Sequence, residues 1–195
     1  MTAANEKKLR LSYNAPVVLT FVLLSVAVWL VSLMTDWAGV HLFSVTRSSL
    51  LDPLTYVRLF GHVLGHRNWS HLMGNIMFIL LLGPIIEERY GSRNTLIVIL
   101  ATALAVGAFQ MAFFPGVRLM GASSVVFAFI ILSSVVNMKE GTIPLTFILV
   151  TLLYLGQQIV GIFQPNSVSE MAHIVGGLVG GAFGFLMNRL KTGRR

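Results

Sequence analysis

Four polar side chains in otherwise apolar segments could together perform acyl-transfer chemistry. Ser123 follows Gly121 in "GASS", His173 begins "HIVGGLVGG", and His71 and Asn75 lie four residues apart in "HLMGN". A serine hydroxyl becomes an effective nucleophile when a base removes its proton, and histidine has suitable basicity. The resulting oxyanion needs positioned donors, which histidine, asparagine and the free backbone N–H groups at a helix start can supply.

The composition indicates that the solvent around these residues is lipid. Hydrophobic residues make up 55% of the 195 residues and charged residues only 11%, whereas soluble domains contain about 25% charged residues. The net charge of +7 could suggest nucleic acid, but the basic residues cluster at the ends of apolar runs, as in membrane proteins. We therefore expect a lipid bilayer and no nucleic-acid partner. The absence of cysteine excludes disulfides and cysteine nucleophiles.

Six apolar runs approach the length of about 20 residues that a membrane-spanning helix requires. They predict an all-α, polytopic membrane protein with six transmembrane helices, at about 15–34, 69–86, 94–114, 120–137, 144–163 and 172–190. The first run is long for a signal peptide and lacks a clear small-residue cleavage site, so we expect it to be retained. The sequence does not indicate an oligomeric state.

The distribution of basic residues predicts the orientation. If six helices alternate, one side of the membrane receives most of the lysines and arginines, and that side is expected to be cytoplasmic, together with both termini. These residues are Lys7, Lys8, Arg10, Arg89, Arg93, Lys139, Arg189, Lys191, Arg194 and Arg195. The long segment 35–68 then lies outside, between helices one and two. It is rich in apolar residues, which predicts short helices associated with the outer membrane interface.

This topology places the candidate residues at a similar depth. The second, fourth and sixth helices all begin at the outer side, and each carries its polar residues in its first turns. His71 and Asn75 share a helix face. Gly176 and Gly180 belong to a glycine stripe on the face of His173, which permits close helix contact and would bring a serine within reach.

Other interpretations of single residues exist. A serine in a membrane helix commonly packs or bonds to its own helix, and GxxxG glycines commonly serve packing alone. His62 and His66 have the i, i+4 spacing of metal ligands, but "HVLGH" lacks the glutamate of the HExxH pattern, so we expect neither metal nor cofactor. No acidic residue lies inside a span at this depth; Glu170, one turn before His173, is the nearest candidate third member.

The motifs resemble those of the rhomboid family of intramembrane serine proteases. "MGASS" is similar to the family's G-x-S motif on the fourth core helix, and "AHIVGGLVGG" to its A-H-x-x-G-x-x-x-G motif on the sixth. "HLMGN" matches H-x-x-x-N, and "GPIIEERYG" matches G-x-x-x-E-x-x-x-G on the second. The resemblance covers roughly the whole chain, 1–195, as a single minimal six-helix domain of the bacterial type.

The resemblance implies roles for individual residues. Ser123 would be the nucleophile and His173 the general base of a Ser–His dyad, while His71, Asn75 and the Ser123 backbone N–H would bind the oxyanion. The fifth helix would be a lateral gate. The supporting residues would be Gly121, Phe127, Gly176 and Gly180, with Phe127 stacking on the base where a tyrosine is frequent.

Three functions remain open at this point. The first is a serine endopeptidase that hydrolyses transmembrane protein substrates near the outer face of the bacterial inner membrane. The second is a catalytically inactive, rhomboid-like protein that binds membrane helices. The third is a small transporter or channel, although the polar residues lie at one level instead of crossing the bilayer.

Overall fold

The fold is helical, as the sequence predicts. The computed structural model describes residues 12–136, 142–161, 163 and 168–192. A short antiparallel bridge joins Val45 to Leu119, with both backbone N–H to O distances at 2.9 Å. In chain order the described helices are α1 (Pro16–Met34), α2 (Asp36–His41), α3 (Pro53–Gly61), α4 (Trp69–Tyr90), α5 (Ser92–Phe113), α6 (Ser123–Ser134), α7 (Leu145–Gly161) and α8 (Val168–Thr192).

Four of the described helices, α1, α4, α5 and α8, are long and apolar enough to cross a membrane. The expected fourth and fifth spans correspond to the shorter apolar helices α6 and α7. The 12 residues of α6 rise about 18 Å, less than the hydrocarbon thickness of about 30 Å. Helix α6 begins at Ser123, three residues after the start of the predicted span 120–137, and Gly121 has a φ of +131° and lies outside the helix. Residue 137 lies outside the described residues.

Helix α6 forms the centre of the fold. Its sequence is apolar all round, which suits a helix with neighbours on every side, and it packs against α4, α5, α7 and α8. Phe129 and Leu132 are completely buried. The peripheral helices instead expose leucines, such as Leu23 on α1 and Leu152 on α7, as expected of surfaces in contact with lipid.

The glycine stripe determines how closely α8 approaches α6. A Cβ atom added at Gly176 would overlap the carbonyl oxygen of Ser124, and one added at Gly180 would overlap that of Ala128. The two backbones are therefore in direct contact at these positions, as small residues allow in membrane helix pairs. This contact fixes the height of α8 relative to the start of α6.

The segment between α1 and α4 contains two short helices, α2 and α3. The Arg58 guanidinium donates to the carbonyl of His41 at 2.7 Å and to the carboxylate of Asp52 at 3.1 Å. Arg58 therefore ties α2 to α3. Association of this segment with the membrane interface stays a prediction. So does the orientation, because Lys7, Lys8, Arg10, Lys139, Arg194 and Arg195 lie outside the described residues.

A buried carboxylate anchors the first helix. Glu87, near the end of α4, accepts hydrogen bonds from the backbone N–H groups of Val17 and Val18, each at 3.0 Å. These are unsatisfied donors at the start of α1, where the helix dipole also favours negative charge. Glu87 therefore has a structural partner that accounts for its burial.

Candidate active site

Ser123 and His173 are in hydrogen-bond contact. Ser123 is the first residue of α6, and His173 lies in the second turn of α8. The distance between Ser123 Oγ and His173 Nε2 is 2.8 Å, within the normal range for such a bond. The contact exists because the glycine face of α8 allows close approach to α6. A hydroxyl and a base at this separation have the geometry required for proton transfer.

The aromatic ring of Phe127 covers one face of the His173 imidazole. The two rings are parallel within 4°, with centroids 4.3 Å apart. Phe127 lies four residues after Ser123, one turn along α6, and therefore sits beneath the serine on the same side of the helix. Tyr154 of α7 packs its ring against Phe127 edge-on, at 6.1 Å between centroids. The imidazole plane is thus held by packing.

The second nitrogen of His173 has a partner that the sequence analysis missed. Nδ1 lies 2.8 Å from Oε1 of Gln158, in the last turn of α7. Glu170, the residue considered for this position, instead accepts a hydrogen bond from Ser169 at 3.0 Å. An amide inside an apolar run was a visible signal, because polar side chains in spans are costly and tend to be functional.

The backbone before Ser123 has an unusual conformation that only glycine adopts without strain. Gly121 has a φ of +131°, and a Cβ atom there would lie 2.6 Å from Cε1 of His71. The Gly121 N–H donates to the carbonyl of His62 at 2.9 Å. Among the described residues, no side chain caps the start of α6. The first N–H groups of α6, including that of Ser123, are therefore available to a developing negative charge.

His71 and Asn75 lie on the adjacent face of α4, but the structure places them differently. His71 is half-buried and lines the cavity in front of Ser123. Asn75 is buried, and its Nδ2 lies 3.0 Å from Nε2 of His66. His66 also lies 3.5 Å from the backbone N of Ala122. The structure thus connects Asn75 to the turn before Ser123 through a histidine that was considered as a metal ligand.

The protonation state of His66 follows from its surroundings. Burial, reinforced by the nearby His71, lowers the pKa of His66 to about 4, so the ring is neutral near pH 7. Its Nδ1–H donates to the Leu64 carbonyl at 3.1 Å. Nε2 is therefore the free acceptor for the Asn75 amide.

His62 is also buried, and its ring is bonded within the protein. Its Nδ1–H points between the carbonyls of Arg58 and Leu59, each at 3.2 Å. Burial lowers the pKa of His62 to about 4. Within the described part of the chain, no three side chains of the metal-binding types converge.

An open cavity of about 620 Å³ leads to Ser123 and His173. Two arginines, Arg67 and Arg118, contribute to its wall and are exposed. Other residues along the wall are Asn68, His71, Met120 and Ser169. The wall therefore combines charged, polar and apolar side chains beside the hydroxyl of Ser123.

Comparison with known proteins identifies the family. The sequence profile of the Rhomboid domain matches residues 53–190, which include the four candidate polar residues and most of the described helices. The chain belongs to the rhomboid family. The resemblance predicted from the motifs is thereby confirmed, and this rhomboid is an integral membrane protein whose environment is a lipid bilayer. Most rhomboids are intramembrane proteases.

A curated rhomboid relative shows how distant the similarity is. Rhomboid-like protein 11, chloroplastic, from Arabidopsis thaliana is 25% identical over 142 residues, covering 65% of this chain and 51% of the relative. The chain therefore spans about half the length of this relative. The similarity supports the family, whereas the activity must be argued from the site.

Proposed function

We propose that this rhomboid is a serine endopeptidase that hydrolyses peptide bonds of transmembrane substrates near the outer membrane face. The observation that carries the proposal is the 2.8 Å contact between Ser123 Oγ and His173 Nε2. It joins a nucleophile and a base from separate helices at the end of an open cavity. A serine that only packed would not need an imidazole nitrogen at this distance.

The proposed reaction proceeds through an acyl-enzyme. His173 Nε2 takes the proton of Ser123 as Oγ attacks the substrate carbonyl, and the oxyanion is held by the Ser123 N–H and by donors from His71 and Asn75. The imidazolium then protonates the leaving amine as the C–N bond breaks. In the second half, His173 removes a proton from water, hydroxide attacks the ester, and the proton returns to Ser123 as the acid product leaves.

The proposed membrane setting places the cavity on the outer side. In this arrangement α6 and α7 complete a six-helix domain, both termini are cytoplasmic, and the host membrane is the bacterial inner membrane. The exposed Arg67 and Arg118 along the cavity suit an opening toward water and lipid headgroups. The cavity would thus supply the water that hydrolysis consumes.

Cleavage of a generic transmembrane reporter by the purified protein tests the proposal. Ser123→Ala and His173→Ala should each lower kcat at least about a thousandfold, because both groups act as one unit. Ser124→Ala is the matched control and should retain activity. Activity that survives Ser123→Ala and is lost in Ser124→Ala would overturn the assignment of the nucleophile.

One observation favours a second function, that of an inactive protein that binds membrane helices. One of the two hydrogens of the Asn75 amide is bonded to His66, which leaves only the other for the oxyanion site. A fluorophosphonate probe separates the two functions. Labelling of Ser123 that His173→Ala abolishes supports the peptidase, whereas an unlabelled, folded protein that still captures transmembrane peptides supports the binder.

A further inference from the structure

We propose that Gln158 is a positioning residue that holds His173 in the tautomer required of a general base. This inference rests on the proposed peptidase function and deepens it. Gln158 lies on α7, whereas Ser123 lies on α6 and His173 on α8. Three helices thus meet at one imidazole ring.

The two bonds to the imidazole require a single proton arrangement. A neutral imidazole carries one N–H, and the other nitrogen is an acceptor. If Nε2 is to accept the Ser123 proton across 2.8 Å, the hydrogen must reside on Nδ1. Nδ1 then needs an acceptor, and Oε1 of Gln158 lies 2.8 Å from it. The amide oxygen therefore favours the productive tautomer over the alternative.

Helix α7 also supports the ring through its face. Tyr154 and Gln158 are four residues apart and share one side of α7. Tyr154 contacts Phe127, and Phe127 stacks on His173. None of the described residues of α7 is buried. The peripheral helix α7 consequently supports His173 in two ways. Gln158 contacts the imidazole nitrogen directly, and Tyr154 contacts the phenylalanine that stacks on the imidazole.

A neutral amide suits this position better than a carboxylate. A carboxylate within an apolar helix would carry a large desolvation cost, whereas an amide oxygen can accept the Nδ1 hydrogen at a smaller cost. In soluble triads the acid fixes the tautomer and also stabilises the imidazolium. Gln158 would supply the first effect and only a small part of the second.

Kinetics of Gln158→Leu, Gln158→Glu and the control Gln157→Leu test the inference. Gln157 is exposed, so its variant changes polarity on α7 without touching His173. Gln158→Leu should lower kcat about ten- to a hundredfold, the effect of losing one orienting hydrogen bond, with KM within about twofold. Gln158→Glu should retain more activity than Gln158→Leu, because a carboxylate can only accept the Nδ1 hydrogen.

The pH profile tests whether the side chain at position 158 contacts the His173 imidazole. A glutamate at position 158 would stabilise the imidazolium, so the acidic limb of kcat should move to higher pH in Gln158→Glu. The other ionisable groups around His173 are the same in the unaltered protein and in Gln158→Glu. They are Glu170 on α8, His71 on α4, Tyr154 on α7, and Arg67 and Arg118 along the cavity. An unmoved limb would show that the side chain at position 158 does not contact the His173 imidazole.

The tautomer can also be measured without activity. Nitrogen-15 NMR of histidine-labelled protein should show His173 protonated on Nδ1, and Gln158→Leu should lose this preference. An Nε2-protonated ring in the unaltered protein, unchanged kcat in Gln158→Leu, or a Gln158→Glu variant as slow as Gln158→Leu would overturn the inference. A protein with Nδ1-protonated His173 that cleaves no reporter would overturn the proposed function alone.

Discussion

The Asn75 amide donates to Nε2 of His66, with 3.0 Å between the nitrogen atoms. His66 is buried and has a lowered pKa of about 4, so its ring acts as a neutral acceptor. The same nitrogen lies 3.5 Å from the Ala122 N–H, immediately before Ser123. This histidine therefore links the proposed oxyanion donor on α4 to the backbone that positions the serine.

The first prediction concerns that link. Asn75→Ala should lower kcat for reporter cleavage by up to about a hundredfold, the lower end of the cost of losing an oxyanion donor. His66→Leu should also lower kcat, because the amide loses the acceptor that orients it. In the double variant the two losses should not add, since both act through one side chain. Additive losses would show that His66 and Asn75 act independently.

The second prediction concerns acid sensitivity. Burial lowers the pKa of His62 to about 4 from an ordinary value of 6.5. Between these values the unfolded chain binds more protons than the folded one, so stability is fully present above about pH 6.5 and falls as pH drops toward 4. The Tm in detergent should therefore decrease between pH 7.5 and pH 5.

A matched variant tests the origin of this decrease. His62 Nε2 has no hydrogen-bond partner among the described residues. A phenylalanine at this position therefore breaks no hydrogen bond of Nε2. His62→Phe should make Tm less dependent on pH over the same interval, even if it lowers Tm at pH 7.5. An unchanged dependence would assign the acid sensitivity to other groups.

The third prediction concerns the contact between α6 and α8. Gly180→Ala places a methyl group against the Ala128 backbone, and we expect a loss of about 1–3 kcal/mol of stability from overpacking. Because the helices must separate, cleavage should fall as well. Gly74→Ala on α4 is the control, since a Cβ there meets no atom within 4 Å. Equal effects of both variants on Tm would contradict a specific backbone contact.

The fourth prediction concerns the second serine of the pair. Ser124 is 2% exposed, and its hydroxyl has no partner among the described residues. An unpaired buried hydroxyl costs about 1–3 kcal/mol, so Ser124→Ala should keep or raise Tm. Cleavage activity should persist. A large fall in Tm would show that the hydroxyl has a partner in the membrane-embedded protein, such as an ordered water.

Much of the fold follows from the sequence because hydropathy and helix propensity are local properties. The apolar runs predict six membrane-spanning helices, of which four are long and apolar enough to cross a membrane among the described residues, and the motif resemblance to the rhomboid family is confirmed. The start of α6 did not follow, since the apolar run was predicted to begin at residue 120, whereas the helix begins at Ser123. Gly121 has a φ of +131°, which is not helical, and a Cβ atom there would lie 2.6 Å from Cε1 of His71.

The partners of the site residues were decided by tertiary structure. Counting helices predicts that Ser123 and His173 lie at one depth. The distance of 2.8 Å between Ser123 Oγ and His173 Nε2 depends on the relative rotation and height of α6 and α8, which the contact between the α8 glycines and the α6 backbone determines. The contacts of His173 with Gln158, and of Asn75 with His66, depend in the same way on packing. Sequence predicts which residues lie at a similar depth; only packing determines which atoms meet, because helix rotation and close approach are set by neighbouring helices.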